Sequence, residues 1–102
     1  MNQSNGDGRP FAGIKVIDLT HVLAGPYCAY QLAVLGAETV KVEPPVDGDM
    51  TRVSGAVREL NERGMAPYFL TQNSNKRSLT WDLKTEKGRE ILKRLIAGAD
   101  VV

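Results

Sequence analysis

The chain has 102 residues, of which 13 are Lys or Arg and 12 are Asp or Glu, so its net charge is +1 with the only His neutral. Apolar residues make up 42% of the chain and charged residues 25%, a composition typical of a folded globular domain rather than of a disordered or membrane-embedded segment. The length allows one domain, and the near-zero net charge argues against a nucleic-acid partner, which would need a strongly basic domain.

The distribution of charge and the numbers of Cys and His residues restrict the ligands that the protein is expected to bind. Residues 1–73 carry 6 basic and 8 acidic side chains, whereas residues 74–102 carry 7 basic and 4 acidic ones, so the last third suits an anionic ligand. One Cys and one His supply neither a disulfide nor a four-ligand zinc site, so we expect no metal. The polar stretch 1–10 lacks the apolar segment of a signal peptide. We therefore expect a disordered leader over 1–10, a cytoplasmic protein and no membrane partner.

The first ordered segments predict a strand, a helix and a second strand. Residues 14–19 are β-branched and mostly apolar, which is typical of a buried strand. Gly25 as the cap and Pro26 at the first helical position predict a helix to about Leu35, closed by Gly36. Residues 37–43 predict the next strand, which two prolines end. The helix is expected to bury an apolar stripe made of Cys28, Ala29, Leu32 and Leu35.

The middle of the chain is less regular, and a strand then follows. Residues 46–49 resemble a turn, and residues 56–63 predict a short surface helix. The polar run 73–77 is most simply a solvated turn. Residues 78–83 alternate between polar and apolar side chains, which predicts a strand with one buried face. That face would consist of Leu79, Trp81 and Leu83.

A capped amphipathic helix closes the pattern. Thr85 is a good N-cap and Gly98 a good stop, while Glu90 and Arg94 lie four residues apart in the favourable order. Residues 99–102 resemble the start of another strand. The predicted buried stripe of the helix consists of Ile91, Leu92, Leu95 and Ile96.

This alternation predicts an α/β fold, with a Rossmann-like parallel sheet and flanking helices. Because the chain ends as its second strand, helix, strand unit closes, we expect residues 11–102 to be the incomplete N-terminal portion of a larger domain. Ligands of such sheets bind beyond the carboxyl ends of the strands. Those ends correspond here to the loops 20–25, 43–49 and 82–85.

Few residues in these loops carry chemistry. The loop 20–25 and the helix after it offer backbone N–H groups to a phosphate or carboxylate, although a plain strand-to-helix turn has the same pattern. His21 is a candidate acid, base or hydrogen-bond donor, although such a His is more often structural. Cys28 could pair with it as a nucleophile, but its place on the apolar stripe favours a buried hydrophobe.

Two later groups of residues point to an anionic ligand. Lys76 and Arg77 could hold phosphates, although a solvated turn is the usual meaning of such a run. Lys84 lies at a strand-to-helix junction on the ligand side, and Trp81 offers a flat face that could stack on a base or fill the core. The residues by themselves therefore indicate nucleotide-like binding and no particular reaction.

Several ordered motifs resemble the N-terminus of family III CoA-transferases, the group of formyl-CoA and carnitine CoA-transferases. The resemblance extends over residues 11–102. Its motifs are GIKVIDLTHVLAGPYC at 13–28, LGAETVKVEP at 35–44, GDMTR at 48–52, NSNKRSLTWDLKT at 73–85 and GR at 88–89.

The resemblance implies transfer of CoA from an acyl-CoA to a carboxylic acid, by interlocked homodimers in which an Asp attacks the thioester. That Asp lies beyond the position of Val102, so no catalytic residue and no activity are implied for this chain alone. Leu23 stands where formyl-CoA transferases have Gln, and Pro44 where some members have Arg, so formyl-CoA itself is not implied. The positions that match CoA contacts of the family are Val22, Leu23, Ala24, Trp81, Asp82, Leu83 and Lys84.

Two other functions stay open at this point. An acyl-CoA racemase relative would share the fold, although the amino-acid sequence of residues 21–26 favours the transferases. A non-catalytic nucleotide-binding or dimerisation module is the alternative from a different class. Racemase activity of the full-length gene product would favour the first, and CoA binding by a folded monomer the second.

Overall fold

The computed structural model describes residues 8–102, so residues 1–7 of the predicted leader lie outside the described part. Three strands form a parallel sheet in the order β1–β2–β3. The strands are β1 (Lys15–Asp18), β2 (Glu38–Glu43) and β3 (Lys76–Thr80). The helices are α1 (Ala24–Val34), α2 (Arg58–Glu62), α3 (Pro67–Asn73) and α4 (Glu86–Ala97), and a short 3-10 helix covers Met50–Val53. The predicted α/β fold with a parallel sheet and flanking helices is confirmed.

The end of the chain adds a fourth position to the sheet. Val101 forms a parallel bridge with Val16, and the Ile17 amide donates to the Val101 carbonyl over 2.9 Å. Where the sequence predicted the opening of a strand at 99–102, the structure therefore has this single bridge beside β1, on the side away from β2. The order Val101, β1, β2, β3 has the reversal between β1 and its neighbours that characterises doubly wound sheets.

The two faces of the sheet carry different residues. Side chains of paired positions in a parallel register point to the same face, and α1 and α3 cover one face while α4 lies over the other. We call the first the charged face, made of Val16, Asp18, Thr39, Lys41, Glu43, Lys76 and Ser78. We call the second the apolar face, with Ile17, Val40, Val42 and Leu79 at its centre.

Helix α1 begins two residues earlier than predicted. Its N-cap is Leu23, so Pro26 is the third helical residue, where a missing N–H still costs no intrahelical bond. Its C-terminus follows the prediction. Gly36 has a φ of 114°, and the amides of Gly36 and Ala37 donate to the last carbonyls of the helix, which is the Schellman arrangement.

The burial predicted for α1 is partly wrong. Cys28 is an exposed thiol and Leu35 is also exposed, whereas the helix buries its small residues and its proline. The buried residues are Pro26, Ala29 and Ala33. Small side chains let the helix backbone lie close to the charged face and to α3, and the larger residues are displaced to the flanks.

The strand predicted at 78–83 is displaced. β3 begins at Lys76 and ends at Thr80, so the predicted solvated turn forms its start and Trp81 and Leu83 follow it. Leu79 is 43% exposed, because β3 lies at the edge of the described sheet and its apolar face is incompletely covered. The segment 67–73, for which no element was predicted, forms α3 with Pro67 at its first position.

Helix α4 has the predicted boundaries and caps but not the predicted burial. The Thr85 hydroxyl accepts a hydrogen bond from the Gly88 amide over 2.9 Å, and the helix ends at Gly98. Ile91 and Ile96 remain 40% and 38% exposed. A cavity of about 270 Å³ lies between Arg94 and Leu95 of α4 and the apolar face, so the helix packs loosely there. In residues 8–102 no helix is long and apolar enough to span a bilayer.

Candidate functional site

A cavity of about 160 Å³ lies at the carboxyl edge of the sheet. It brings together residues that follow all three strands and are up to 65 positions apart in the chain, since it is lined from Leu19 to Lys84. The lining is Leu19, His21, Val42, Glu43, Pro44, Pro45, Trp81, Asp82, Leu83 and Lys84. Most of these side chains are apolar, and His21 and Lys84 are exposed at its rim. Parallel strands produce this convergence because their carboxyl ends all meet at one edge.

The first loop, residues 20–25, is tightly packed where α1 begins. A Cβ on Gly25 would overlap the side chain of Thr20, so only glycine allows this approach. Val22 has a φ of 73°, in the left-handed region that β-branched residues almost never adopt. Such a conformation costs on the order of 1–3 kcal/mol and persists only where the surroundings over-determine it. The loop is therefore held in a fixed shape by contacts outside itself.

The second loop, residues 81–85, is held in place by contacts with α4 and its N-cap. The Asp82 carboxylate accepts a hydrogen bond from the Lys84 amide over 2.8 Å, and the Thr85 hydroxyl donates to the Asp82 carbonyl over 2.8 Å. The Arg89 guanidinium donates to the Lys84 carbonyl over 2.9 Å. A Cβ on Gly88 would overlap the Asp82 carbonyl oxygen, so α4 approaches this loop as closely as glycine permits. These contacts hold the loop while the Lys84 side chain remains exposed.

Trp81 lies partly buried in the cavity wall rather than in the core of the sheet. Its indole Nε1 atom is buried and finds no hydrogen-bond partner in the described part of the chain. A buried N–H donor without a partner is uncommon in folded proteins. Trp81 therefore presents both an aromatic surface and an unused donor in the cavity wall.

Behind the first loop lies a cluster of buried charges. The Lys76 ammonium donates to the Asp18 carboxylate over 2.8 Å, to the Asn73 side chain over 2.7 Å and to the Pro26 carbonyl over 2.9 Å. The Lys41 ammonium forms an ion pair with Asp49 over 2.9 Å. The side chains of both lysines and of both carboxylates are at most 2% exposed. Lys76 is thus engaged inside the protein and cannot hold a phosphate, contrary to one interpretation of the polar run.

A second buried cluster holds the loop after β2. Arg52 forms two hydrogen bonds with the Glu43 carboxylate, over 2.6 and 2.7 Å, and its guanidinium lies 3.9 Å from the centre of the Phe69 ring. Glu43 also accepts from the Ser78 hydroxyl over 2.8 Å and from the Asp49 amide over 2.7 Å. A bidentate arginine–carboxylate pair of this kind fixes orientation as well as distance.

These contacts keep the carboxylates ionised. Burial alone would raise the pKa of Glu43, but hydrogen bonds from Arg52 and others outweigh it and lower the pKa to about 2. Burial would also raise the pKa of Asp49, but hydrogen bonds from the Thr51 amide and Lys41 outweigh it and lower the pKa to about 2. Burial is likewise outweighed at Asp18, where Lys76 and Thr20 hold the pKa below its ordinary value. Because each is buried and paired, these carboxylates are structural anions rather than exposed nucleophiles.

The structure brings some of the predicted site residues together and leaves others apart. His21, Trp81, Asp82, Leu83 and Lys84 line one cavity. The remaining predicted contacts, Val22, Leu23 and Ala24, lie on the adjacent loop and helix start, with Leu23 and Ala24 exposed. Cys28 points to solvent from α1 and is not part of the cavity lining. In residues 8–102 no three His, Cys, Asp or Glu side chains form a group that could hold a metal ion.

The buried charged residues of β2 are what sequence reasoning missed. Lys41 and Glu43 stand in a strand that was predicted to be covered by helices, yet they were not identified as buried. Charged residues are rarely buried unless they are paired, so two of them within a covered strand are the signal for internal ion pairs. Their partners Asp49 and Arg52 follow within nine residues.

Comparison with known proteins gives one family. The family model described as CoA-transferase family III matches residues 11–102. The chain belongs to this family. Similar proteins include a formyl-CoA:oxalate CoA-transferase of Streptomyces avermitilis, 49% identical over 90 residues, and a succinyl-CoA:glutarate CoA-transferase of Homo sapiens, 44% identical over 93 residues. The matches cover 88% and 91% of this chain but 21% and 20% of those relatives, so this family III chain spans about a fifth of their length.

Solved structures agree with the fold of this family III chain. A CAIB/BAIF family protein from Brucella suis is 44% identical with a TM-score of 0.79, covering 91% of this chain and 25% of that one. A hypothetical protein from Mycobacterium tuberculosis is 38% identical with a TM-score of 0.78, covering 91% of this chain and 24% of that one. The family resemblance inferred from the sequence motifs is thereby confirmed.

Proposed function

We propose that residues 11–102 form the N-terminal, CoA-binding portion of a cytoplasmic CoA-transferase that moves CoA from an acyl-CoA to a carboxylic acid. One observation carries the proposal. The loop with His21 and the segment from Trp81 to Lys84 are separated by 60 residues in the chain and meet around one cavity at the carboxyl edge of the sheet. Because the chain belongs to CoA-transferase family III, we infer that the ligand of this edge is CoA.

The chemistry of this edge suits the parts of CoA. CoA consists of an adenine nucleotide with several phosphates and a long pantetheine arm that ends in a thiol. The apolar cavity wall, with Trp81 and Leu83, suits the arm or the base, and the indole N–H can donate to an amide carbonyl or a ring nitrogen. Lys84 at the rim supplies a cation for a phosphate.

Within this chain we assign no catalytic residue. Asp18, Glu43 and Asp49 are each buried and held by Lys or Arg, so none is accessible to attack a thioester. The chain matches only about a fifth of the length of its relatives, so we propose that the nucleophilic carboxylate and the pocket for the acceptor acid lie in the part of the enzyme outside this match, and that the functional unit is a homodimer. Residues 11–102 would position CoA and leave the chemistry to the rest of the enzyme.

Calorimetric titration of the full-length gene product with CoA tests the binding proposal, because CoA binding by this chain alone would equally suit a non-catalytic module. We expect saturable binding in the micromolar range, weakened about 3- to 10-fold by Lys84→Met, because one charge-assisted contact to a phosphate is lost. Lys93→Met is the matched control, since Lys93 is an exposed lysine of α4 outside the cavity lining. A folded chain that shows no saturable heat, or equal loss in both variants, would contradict the proposal.

Assays on the full-length gene product test the reaction. CoA transfer from an acyl-CoA to a carboxylic acid supports the proposal. Racemisation of a 2-substituted acyl-CoA without transfer would instead favour the racemase relative, and CoA binding with neither activity would favour a non-catalytic module.

A further inference from the structure

Lys41 touches two of the loops that meet at the carboxyl edge. Its ammonium donates to the Thr20 carbonyl over 2.8 Å and pairs with the Asp49 carboxylate over 2.9 Å. Thr20 opens the loop that carries His21 to Ala24, and Asp49 ends the loop that begins after Glu43. The lysine side chain is 1% exposed, so these contacts form away from solvent. One buried cation thus joins two segments that are 29 residues apart.

Other contacts hold the first loop, residues 20–25, at both of its ends. We call these contacts, together with those of Lys41, the clamp. The Asp18 carboxylate accepts hydrogen bonds from the Thr20 amide, over 2.8 Å, and from the Thr20 hydroxyl. At the far end of the loop, the Lys76 ammonium holds the Pro26 carbonyl over 2.9 Å while it pairs with Asp18. The residues between these two fixed ends include Val22, whose φ of 73° is strained. The clamp supplies the outside restraint that this conformation needs.

We propose that Lys41 is a positioning residue, which holds the His21 to Ala24 loop in its strained shape and couples it to the loop that ends at Asp49. The proposal rests on the proposed function in one respect, that the positioned loop binds CoA. Lys41 itself touches no ligand in it, because its ammonium is buried and engaged on the inner side of the loop.

Hydrogen exchange on the ligand-free full-length protein tests the clamp without requiring CoA. Asp49→Asn keeps the side-chain oxygen that accepts from Thr51 but removes the charge that holds Lys41. If Lys41 couples the loops, this change in the loop 44–49 speeds exchange of the hydrogen-bonded amides at the two ends of the first loop, Thr20 and Tyr27, by about 10-fold, while amides of the β1–β2 ladder stay protected. Lys41→Met with Asp49→Asn removes one charge of each sign, leaves the Asp18–Lys76 pair intact and should have a larger effect.

The control is Lys15→Met, which removes an exposed lysine from the amino end of β1. We expect it to leave exchange in both loops unchanged. Exchange at Thr20 and Tyr27 that is unaltered by Asp49→Asn and by the double substitution, or that rises equally with the ladder amides, would overturn the clamp. If the double variant does not fold, Asp49→Asn decides the question, because it changes only the loop that ends at Asp49.

A CoA titration of the same proteins separates the clamp from the proposed function. We expect the double variant to bind CoA roughly 10- to 100-fold more weakly, because a displaced loop loses its contacts. Unchanged affinity in a variant whose loop exchange has risen would contradict positioning for CoA. Failure of the unmodified full-length protein to bind CoA would overturn the proposed function, and hydrogen exchange would still decide whether Lys41 couples the two loops.

Discussion

The face of the sheet under α1 and α3 and the face under α4 bury different kinds of side chain. The charged face holds Asp18, Lys41, Glu43 and Lys76, each with partners within hydrogen-bonding or ion-pairing distance. The apolar face buries Ile17 and Val42 but leaves Leu79 of the edge strand β3 43% exposed, and α4 packs loosely over this face. Hydrophobic burial has no preferred geometry, whereas each buried ion pair requires a fixed distance and direction.

This difference explains where the candidate site is rigid. Taking an ion out of water costs several kcal/mol, and that cost is offset only if its partners lie in the correct place. On the charged face, the partners that meet this requirement lie at the ends of the loops at the carboxyl edge. They are Thr20, Pro26 and Asp49. The charged face therefore ties the site to the sheet, while the apolar face contributes mainly through the area that it buries.

The largest expected effect comes from breaking the charged face. Lys41→Met leaves Asp49 buried without its cation, and we expect it to lower the free energy of unfolding by about 3–5 kcal/mol. Arg77→Met is the comparison on the other face. Arg77 pairs with Glu38 at the surface, so its loss should cost about 0–1 kcal/mol. Urea denaturation of both variants measures the difference, and equal costs would show that burial of the pair is irrelevant.

Acid should weaken the charged face in a defined pH range. The pKa of Asp49 is lowered to about 2 from an ordinary 3.8, so it stabilises the fold above pH 4 and the stabilisation disappears as pH falls toward 2. The shift corresponds to roughly 2 kcal/mol. Urea unfolding between pH 5 and pH 2.5 measures it. Asp49→Asn should be less stable at pH 5 and show a shallower loss with acid, and an identical pH dependence would contradict the assignment.

Gly88→Ala tests how closely α4 holds the second loop. A Cβ at this position would overlap the Asp82 carbonyl, so the loop must shift, at a cost of about 1–3 kcal/mol in stability. The shift should also weaken CoA binding. Gly98→Ala is the control, because a Cβ there would lie 3.9 Å from the nearest atom, an ordinary contact. Similar stability and CoA affinity in the two variants would mean that the 81–85 loop adjusts freely.

Much of the fold could be predicted because its signals are local. Apolar runs marked β1 and β2, and the caps at Gly36, Thr85 and Gly98 marked helix ends through contacts within a few residues. The carboxyl edge also followed, because parallel strands bring their following loops together whatever the side chains are.

The charged face could not be predicted because its signals are long-range. Lys76 was interpreted as solvated since its partner Asp18 lies 58 residues away, and only the folded sheet brings them together. The burial of Ile91 and Ile96 was overestimated for a related reason. An amphipathic pattern specifies which side of a helix is apolar but not how tightly the neighbouring sheet covers it.

The smallest expected effect concerns that loosely covered helix. Ile91 is 40% exposed and Ile17 only 6%, so the same change to Ala compares the two environments directly. We expect Ile17→Ala to cost about 2–5 kcal/mol and Ile91→Ala about 1 kcal/mol, because an exposed side chain removes less area from water and leaves no closed cavity. Urea denaturation again provides the measurement. A cost at Ile91 as large as that at Ile17 would show that α4 packs against the apolar face closely enough to bury Ile91 as effectively as Ile17.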